Sequence, residues 1–111
     1  MQSASYEFLG VLGFAYLQHS QAEKAATVFQ TLNHLQPDNA LVVRSLTYSW
    51  LLLKKFEAAL ELSERWIAKT ADSDPNWKHL QMIRGRALYG LGRESEAISS
   101  MQTAMKKFRR G

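Results

Sequence analysis

The side chains able to do chemistry are few in this chain, and they are spread out. His19, His34 and His79 lie far apart and show no metal-ligand spacing, and there is no cysteine to complete a soft site. Glu61 and Glu64 share one predicted helix and Glu94 and Glu96 another, with no histidine or second carboxylate placed to make a general acid/base pair. Ser99-Ser100 has no base partner. The glycines between Gly85 and Gly92 follow no strand, so they form no phosphate-binding loop. Trp50, Trp66 and Trp77 could line a cofactor or sugar site, but packing between helices accounts for them better. The expectation is a chain with no catalytic residues, no metal and no cofactor.

What remains is apolar surface, and the elements that present it. The stretch Ala40 to Lys54 holds Leu41, Val42, Val43, Leu46, Tyr48, Trp50, Leu51, Leu52 and Leu53. On a helix these cover well over half of the circumference, whereas a surface helix needs a stripe only about 100° wide. It is too short to span a bilayer, which takes about 20 residues. It therefore reads as the middle wall of a helical array, core on one face and groove on the other. The length of 111 residues suits one domain, and 46% hydrophobic residues is enough for a packed core. The absence of cysteine fits a reducing compartment. Net charge is +4, part of it in Lys106-Lys107-Phe108-Arg109-Arg110, which reads as cations complementing a helix C-terminus; no nucleic-acid-binding motif supports another role. Phe8 to Leu17 has the length of a signal-peptide core, but Glu7 abuts it and no basic residue or cleavage pattern flanks it. It reads as a buried helix, with cytoplasm as the default location and no membrane insertion.

Along the chain, helical periodicity predicts helices over residues 5–18, 22–35, 40–53, 56–69, 75–91 and 95–108. The first carries Phe8, Leu9, Leu12, Ala15 and Tyr16; the second Ala25, Ala26, Phe29, Leu32 and Leu35; the last Ala97, Ile98, Met101, Ala104, Met105 and Phe108. Pro37 ends the second helix, Asp38 or Asn39 can cap the third, and Asp72, Ser73 or Asp74 with Pro75 can open the fifth. No strand-like alternation is present. Ala25 and Ala59 are 34 residues apart and Ala59 and Ala97 are 38 apart, with the extra four assigned to the Asp74–Trp77 turn. Each alanine falls early in the second helix of a pair, where two helices cross closely and a larger side chain would cost about 1–3 kcal/mol by overpacking.

This spacing, with Leu12-Gly13, Tyr16, Ala25, Phe29 and Pro37 in the first unit, resembles the tetratricopeptide repeat. The second unit keeps Leu46, Phe56 and Ala59 but has Thr47 for the glycine and Trp50 for the tyrosine. The third keeps Gly85, Ala97, Met101 and Ala104. The resemblance implies an all-α single domain over residues 1–111: three helix hairpins (about 6–39, 40–73 and 78–111), six antiparallel helices in a right-handed superhelical array. The opening Glu7-Phe8-Leu9 to Tyr16-Leu17-Gln18, with Ala22-Glu23-Lys24-Ala25 and Leu35-Gln36-Pro37, is similar to the small tetratricopeptide chaperones of bacterial type III secretion, the YscY type.

In that family the first helices of each pair line the concave side. Carried over, this implies a partner-binding groove of Phe14 and Leu17, with Gly10 and Gln18, from the first unit. The second unit contributes Arg44, Tyr48, Leu51 and Leu52, with Leu41. Met82, Arg86 and Tyr89, with His79, come from the third. The asparagine and lysine of the family's carboxylate-clamp mode are missing, so the groove suits an apolar client segment, helical or extended, with Arg44 and Arg86 for flanking acidic residues. The implied function is a non-enzymatic chaperone or adaptor for a small type III secretion export component, keeping it soluble in the bacterial cytoplasm and able to dock with it on the export gate. Alternatives are a needle-subunit chaperone and a scaffold or homo-oligomerisation module, homodimeric when client-free.

Overall fold

The computed structural model describes residues 2–110, with side chains described for residues 5–106. Phe108 of the apolar pattern, and Lys107, Arg109 and Arg110 of the basic end, lie outside those described side chains. Six helices follow one another: α1 (Gln2–Gln18), α2 (Ala22–Leu35), α3 (Ala40–Leu52), α4 (Phe56–Ala68), α5 (Pro75–Gly90) and α6 (Glu94–Arg110). The described residues are all-α, with no strand.

Three of the connections share one geometry. After α1 the Gln21 amide donates to the Tyr16 carbonyl and the Ser20 amide to Leu17. After α3 the Lys55 amide donates to Trp50 and the Lys54 amide to Leu51; after α5 the Arg93 amide donates to Leu88 and the Gly92 amide to Tyr89. Each is a helix stop closed by a left-handed residue, which satisfies the last carbonyls. The left-handed residues are Ser20 (φ 60°), Lys54 (φ 60°) and Gly92 (φ 79°). Only Gly92 adopts that conformation without a Cβ penalty. Ser20→Gly is therefore expected to raise stability by about 0.5–1 kcal/mol, and Gly92→Ala to lower it by about 1 kcal/mol, in urea unfolding. A loss of stability in Ser20→Gly would refute this reading of the turn.

The other two connections use side-chain caps. Asn39 Oδ1 accepts from the Leu41 amide (3.1 Å) and the Val42 amide (3.4 Å), opening α3. Asp74 Oδ1 accepts from the Asn76 amide (2.9 Å), with Pro75 at the first helical position of α5. Asp74 is thus a cap and Pro75–Trp77 are helical, which corrects the assignment of an inserted turn there. The extra length is shared between the Lys69–Asp74 connection and a longer α5.

Each helix packs on the next, and α3 also packs on α5. No comparable contact joins α1 to α3 among the described residues. Ala25, Ala59 and Ala97 are all buried at the hairpin crossings, at 0%, 0% and 2% exposure. A second crossing depends on size complementarity. A Cβ on Gly13 would stand 2.6 Å from the buried Phe29 ring, and one on Gly85 would stand 2.9 Å from Met101. At the matching places of the middle hairpin the pair is Thr47 and Ser63, both fully buried, their hydroxyls donating to carbonyls of their own helices. The glycine-and-large-side-chain pair of the outer hairpins is thus replaced there by two short hydroxyl side chains.

The core is two clusters, one around Phe29, Leu32, Val43, Leu46 and Leu80, the other around Leu51, Leu60, Ala87 and Leu88, with Trp50 packed against both. Trp66 packs on the first. Five positions depart from the sequence reading. Phe8 and Val11 are each 66% exposed, so the Phe8–Leu17 stretch is buried only at Gly13, with Leu9 and Tyr16 half-buried beside it. Leu35 of α2 and Ile98 and Met105 of α6 are also exposed. Run-length hydrophobicity carries no information about which side of a helix at the end of an array has a neighbour.

Candidate partner-binding groove

Three helices each leave one stripe of side chains uncovered on the same side of the molecule. On α1 the stripe runs through Gly10, Phe14 and Leu17; on α3 through Leu41, Arg44, Tyr48 and Leu52; on α5 through His79, Met82, Arg86 and Tyr89. Their spacings of three and four residues keep each stripe on one helix face. Phe14, Leu41, Tyr48, Leu52, Met82 and Tyr89 are all large apolar residues that remain exposed.

These stripes border three adjoining hollows. The first, about 520 Å³, opens between α1, the end of α2 and the start of α3; its walls include Tyr6, Gly10, Val11 and Phe14, with Phe29, Leu32 and Leu41. The second, about 410 Å³, is lined by Phe14, Leu17, Arg44, Ser45 and Tyr48 facing His79, Met82, Ile83 and Arg86. The third, about 390 Å³, is lined by Leu51, Leu52, Lys54, Phe56, Arg86, Tyr89, Gly90 and Met101. Phe14 and Ser45 belong to the first two hollows and Arg86 to the last two, so the three form one continuous groove.

Each residue assigned from sequence can be placed. Phe14, Leu17, Arg44, Tyr48, Met82 and Arg86 meet in the second hollow, and Leu51, Leu52 and Tyr89 border the third. Leu51 differs from the rest: it is 6% exposed and belongs to the core, offering the groove only an edge. Gln18 lines none of the three. Sequence reasoning missed most of the first hollow, notably Tyr6, Val11 and Gln36; the available signal was the absence of any polar side on α1.

The polar groups are held in place. Arg44 Nη1 donates to Asn76 Oδ1 (3.3 Å), and Asn76 Nδ2 donates to the capping Asp74 Oδ1 (3.2 Å), so the start of α5 orients an arginine of α3. The Arg86 guanidinium lies 6.0 Å from the Tyr48 ring centroid, at cation–π distance. His79 has its pKa lowered from 6.5, first by desolvation and then by the charges of Arg44 and Lys78. The folded state thus binds a proton at His79 less readily than the unfolded chain. Its contribution to stability is complete above the unfolded value and is lost as pH falls from about 6.5 through the folded pKa. Because His79 is exposed, the stability effect is small. The clearer measurement is an NMR titration, in which His79 should titrate below 6.5 and move upward in Arg44→Gln. An unchanged titration in that variant would show that Arg44 does not act on the imidazole.

Among the described residues no three His, Cys, Asp or Glu side chains gather as a metal site, and no helix is long and apolar enough to cross a membrane. The chain matches no protein-family model, and a search of curated proteins finds no match.

Proposed function

We propose that this chain is a non-enzymatic binding module of tetratricopeptide type, a chaperone or adaptor that covers an apolar segment of a client protein. The observation that carries the reading is the groove itself: six large apolar side chains exposed together on α1, α3 and α5 along three joined hollows. An apolar patch of this kind, bordered by polar residues, marks a surface that is covered in use. The equivalent turns and alanine crossings of the three hairpins support the repeat reading, and with it a superhelical arrangement. The sequence resemblance supplies the client class: a small export component of a bacterial type III secretion system, kept soluble in the cytoplasm and presented to the export gate, or that system's needle subunit. Burying the client's apolar side chains here would block their use in aggregation.

A second reading, self-association, is favoured by two further exposed apolar residues of α1, Val11 in the wall of the first hollow and Phe8 outside the groove lining. Light scattering on the purified chain, alone and with the protein it retains from its native cell, separates the two. The chaperone reading expects a client-free mass that gives way to a defined complex and a client that precipitates without its partner. A homodimer whose mass is unaffected by any client would overturn it.

A further inference from the structure

The three hollows differ in charge. Glu7 is the one ionisable acid bordering the first, which has no cation. The second is lined by Arg44, His79 and Arg86, and the third by Lys54 and Arg86, with no carboxylate lining either. A purely apolar segment laid across this groove would strip water from two guanidinium groups and return no charged acceptor, Arg44 keeping only its bond to the Asn76 amide oxygen, which is unfavourable. A carboxylate placed there would instead receive charge-assisted hydrogen bonds, for which the arginine fork is suited. Arg44 is held by Asn76, and Arg86 lies over the Tyr48 ring. Apolar hollows continue on both sides of them. A C-terminal carboxylate would end the occupant at the arginines and leave one side of the groove bare, whereas an internal acidic residue lets the chain fill both.

We infer that the occupant is a segment with an internal Asp or Glu between apolar anchors, its carboxylate over Arg44 and Arg86 and its apolar side chains in the hollows on either side. This rests on the binding-module reading above and specifies the partner for it.

The test uses fluorescein-labelled amphipathic helical peptides with leucine anchors at i, i+4, i+7 and i+11. The central residue is Glu, Gln or Lys, and each peptide has a free or amidated C-terminus. Binding is followed by anisotropy. The Glu peptide should bind roughly ten-fold or more tightly than the Gln peptide, the effect of one hydrogen bond to a charged group. Added salt should narrow the difference, the Lys peptide should bind weakest, and amidation should change nothing. In Arg44→Gln/Arg86→Gln the preference for Glu over Gln should vanish. Equal binding of the Glu and Gln peptides to the wild-type chain would overturn this inference and leave the apolar groove standing. Loss of binding on amidation would also overturn it, by assigning the arginines to a chain terminus. Failure of every peptide to bind would overturn both this inference and the binding-module reading. The wild-type comparison does not depend on how any variant folds.

Discussion

Phe29→Ala should cost about 3–5 kcal/mol of stability, the range for truncating a buried aromatic ring. For a chain of this size that corresponds to a fall in Tm of roughly 12–20 °C, at about 4 °C per kcal/mol. The ring is 1% exposed and fills the space that Gly13 leaves open on α1. It also meets Phe14 edge-on, with ring centroids 5.4 Å apart and planes at 66°. Since α1 packs strongly on α2 alone, this ring is the centre of the contact that holds the first helix. Thermal unfolding followed by circular dichroism measures the effect. A fall of less than about 4 °C would mean that α1 and α2 are held together by other contacts.

Tyr48→Ala combined with Leu52→Glu should have the opposite profile, abolishing client binding while helicity and Tm stay near wild type. Both side chains lie on the uncovered stripe of α3, at 40% and 45% exposure, so little packing is lost. The interaction removed with Tyr48, its cation–π contact with Arg86, contributes only about 0.5–1 kcal/mol at an exposed site. Binding suffers far more, because a ring is lost from the second hollow and a carboxylate enters the third, where an apolar anchor would strip it of water. Leu51→Ala is the control: Leu51, next to Leu52 in sequence, is buried, and truncation there should cost about 2–5 kcal/mol. Calorimetric binding and melting curves on the double variant, Leu51→Ala and the wild-type chain decide the matter. If the double variant melts like Leu51→Ala, the stripe is core and the groove is misplaced.

The helices were legible because their ends are written in local chemistry. Pro37, Asn39, Asp74, Pro75 and Gly92 each act within one turn of the chain, and all sit at helix boundaries in the structure. The close crossings were legible too, since Ala25, Ala59 and Ala97 keep their spacing and are buried. Less visible were features set by helix rotation and by distant neighbours. Leu51 and Leu52 are chemically identical and adjacent, yet one is core and the other groove, because successive residues point about 100° apart. Ser20 and Lys54 give no sign of a left-handed backbone; the geometry comes from the hairpin, and each residue accepts the strain. The first hollow exists because α1 stands clear of α3, a tertiary fact that spacing along either helix cannot report. Phe8 and Val11, apolar yet exposed, follow from the same separation.

That separation has a mechanical result. The second hollow is walled chiefly by α3 and α5, which pack on each other, with Phe14 and Leu17 of α1 at its edge. The first hollow has one wall on a helix hinged along a single neighbour. Swinging α1 about α2 would change the span of that mouth without disturbing the α3–α5 seam. In the proposed binding role, such a swing would fit the α1 end of the groove to side chains of different bulk while the α3–α5 part kept its register.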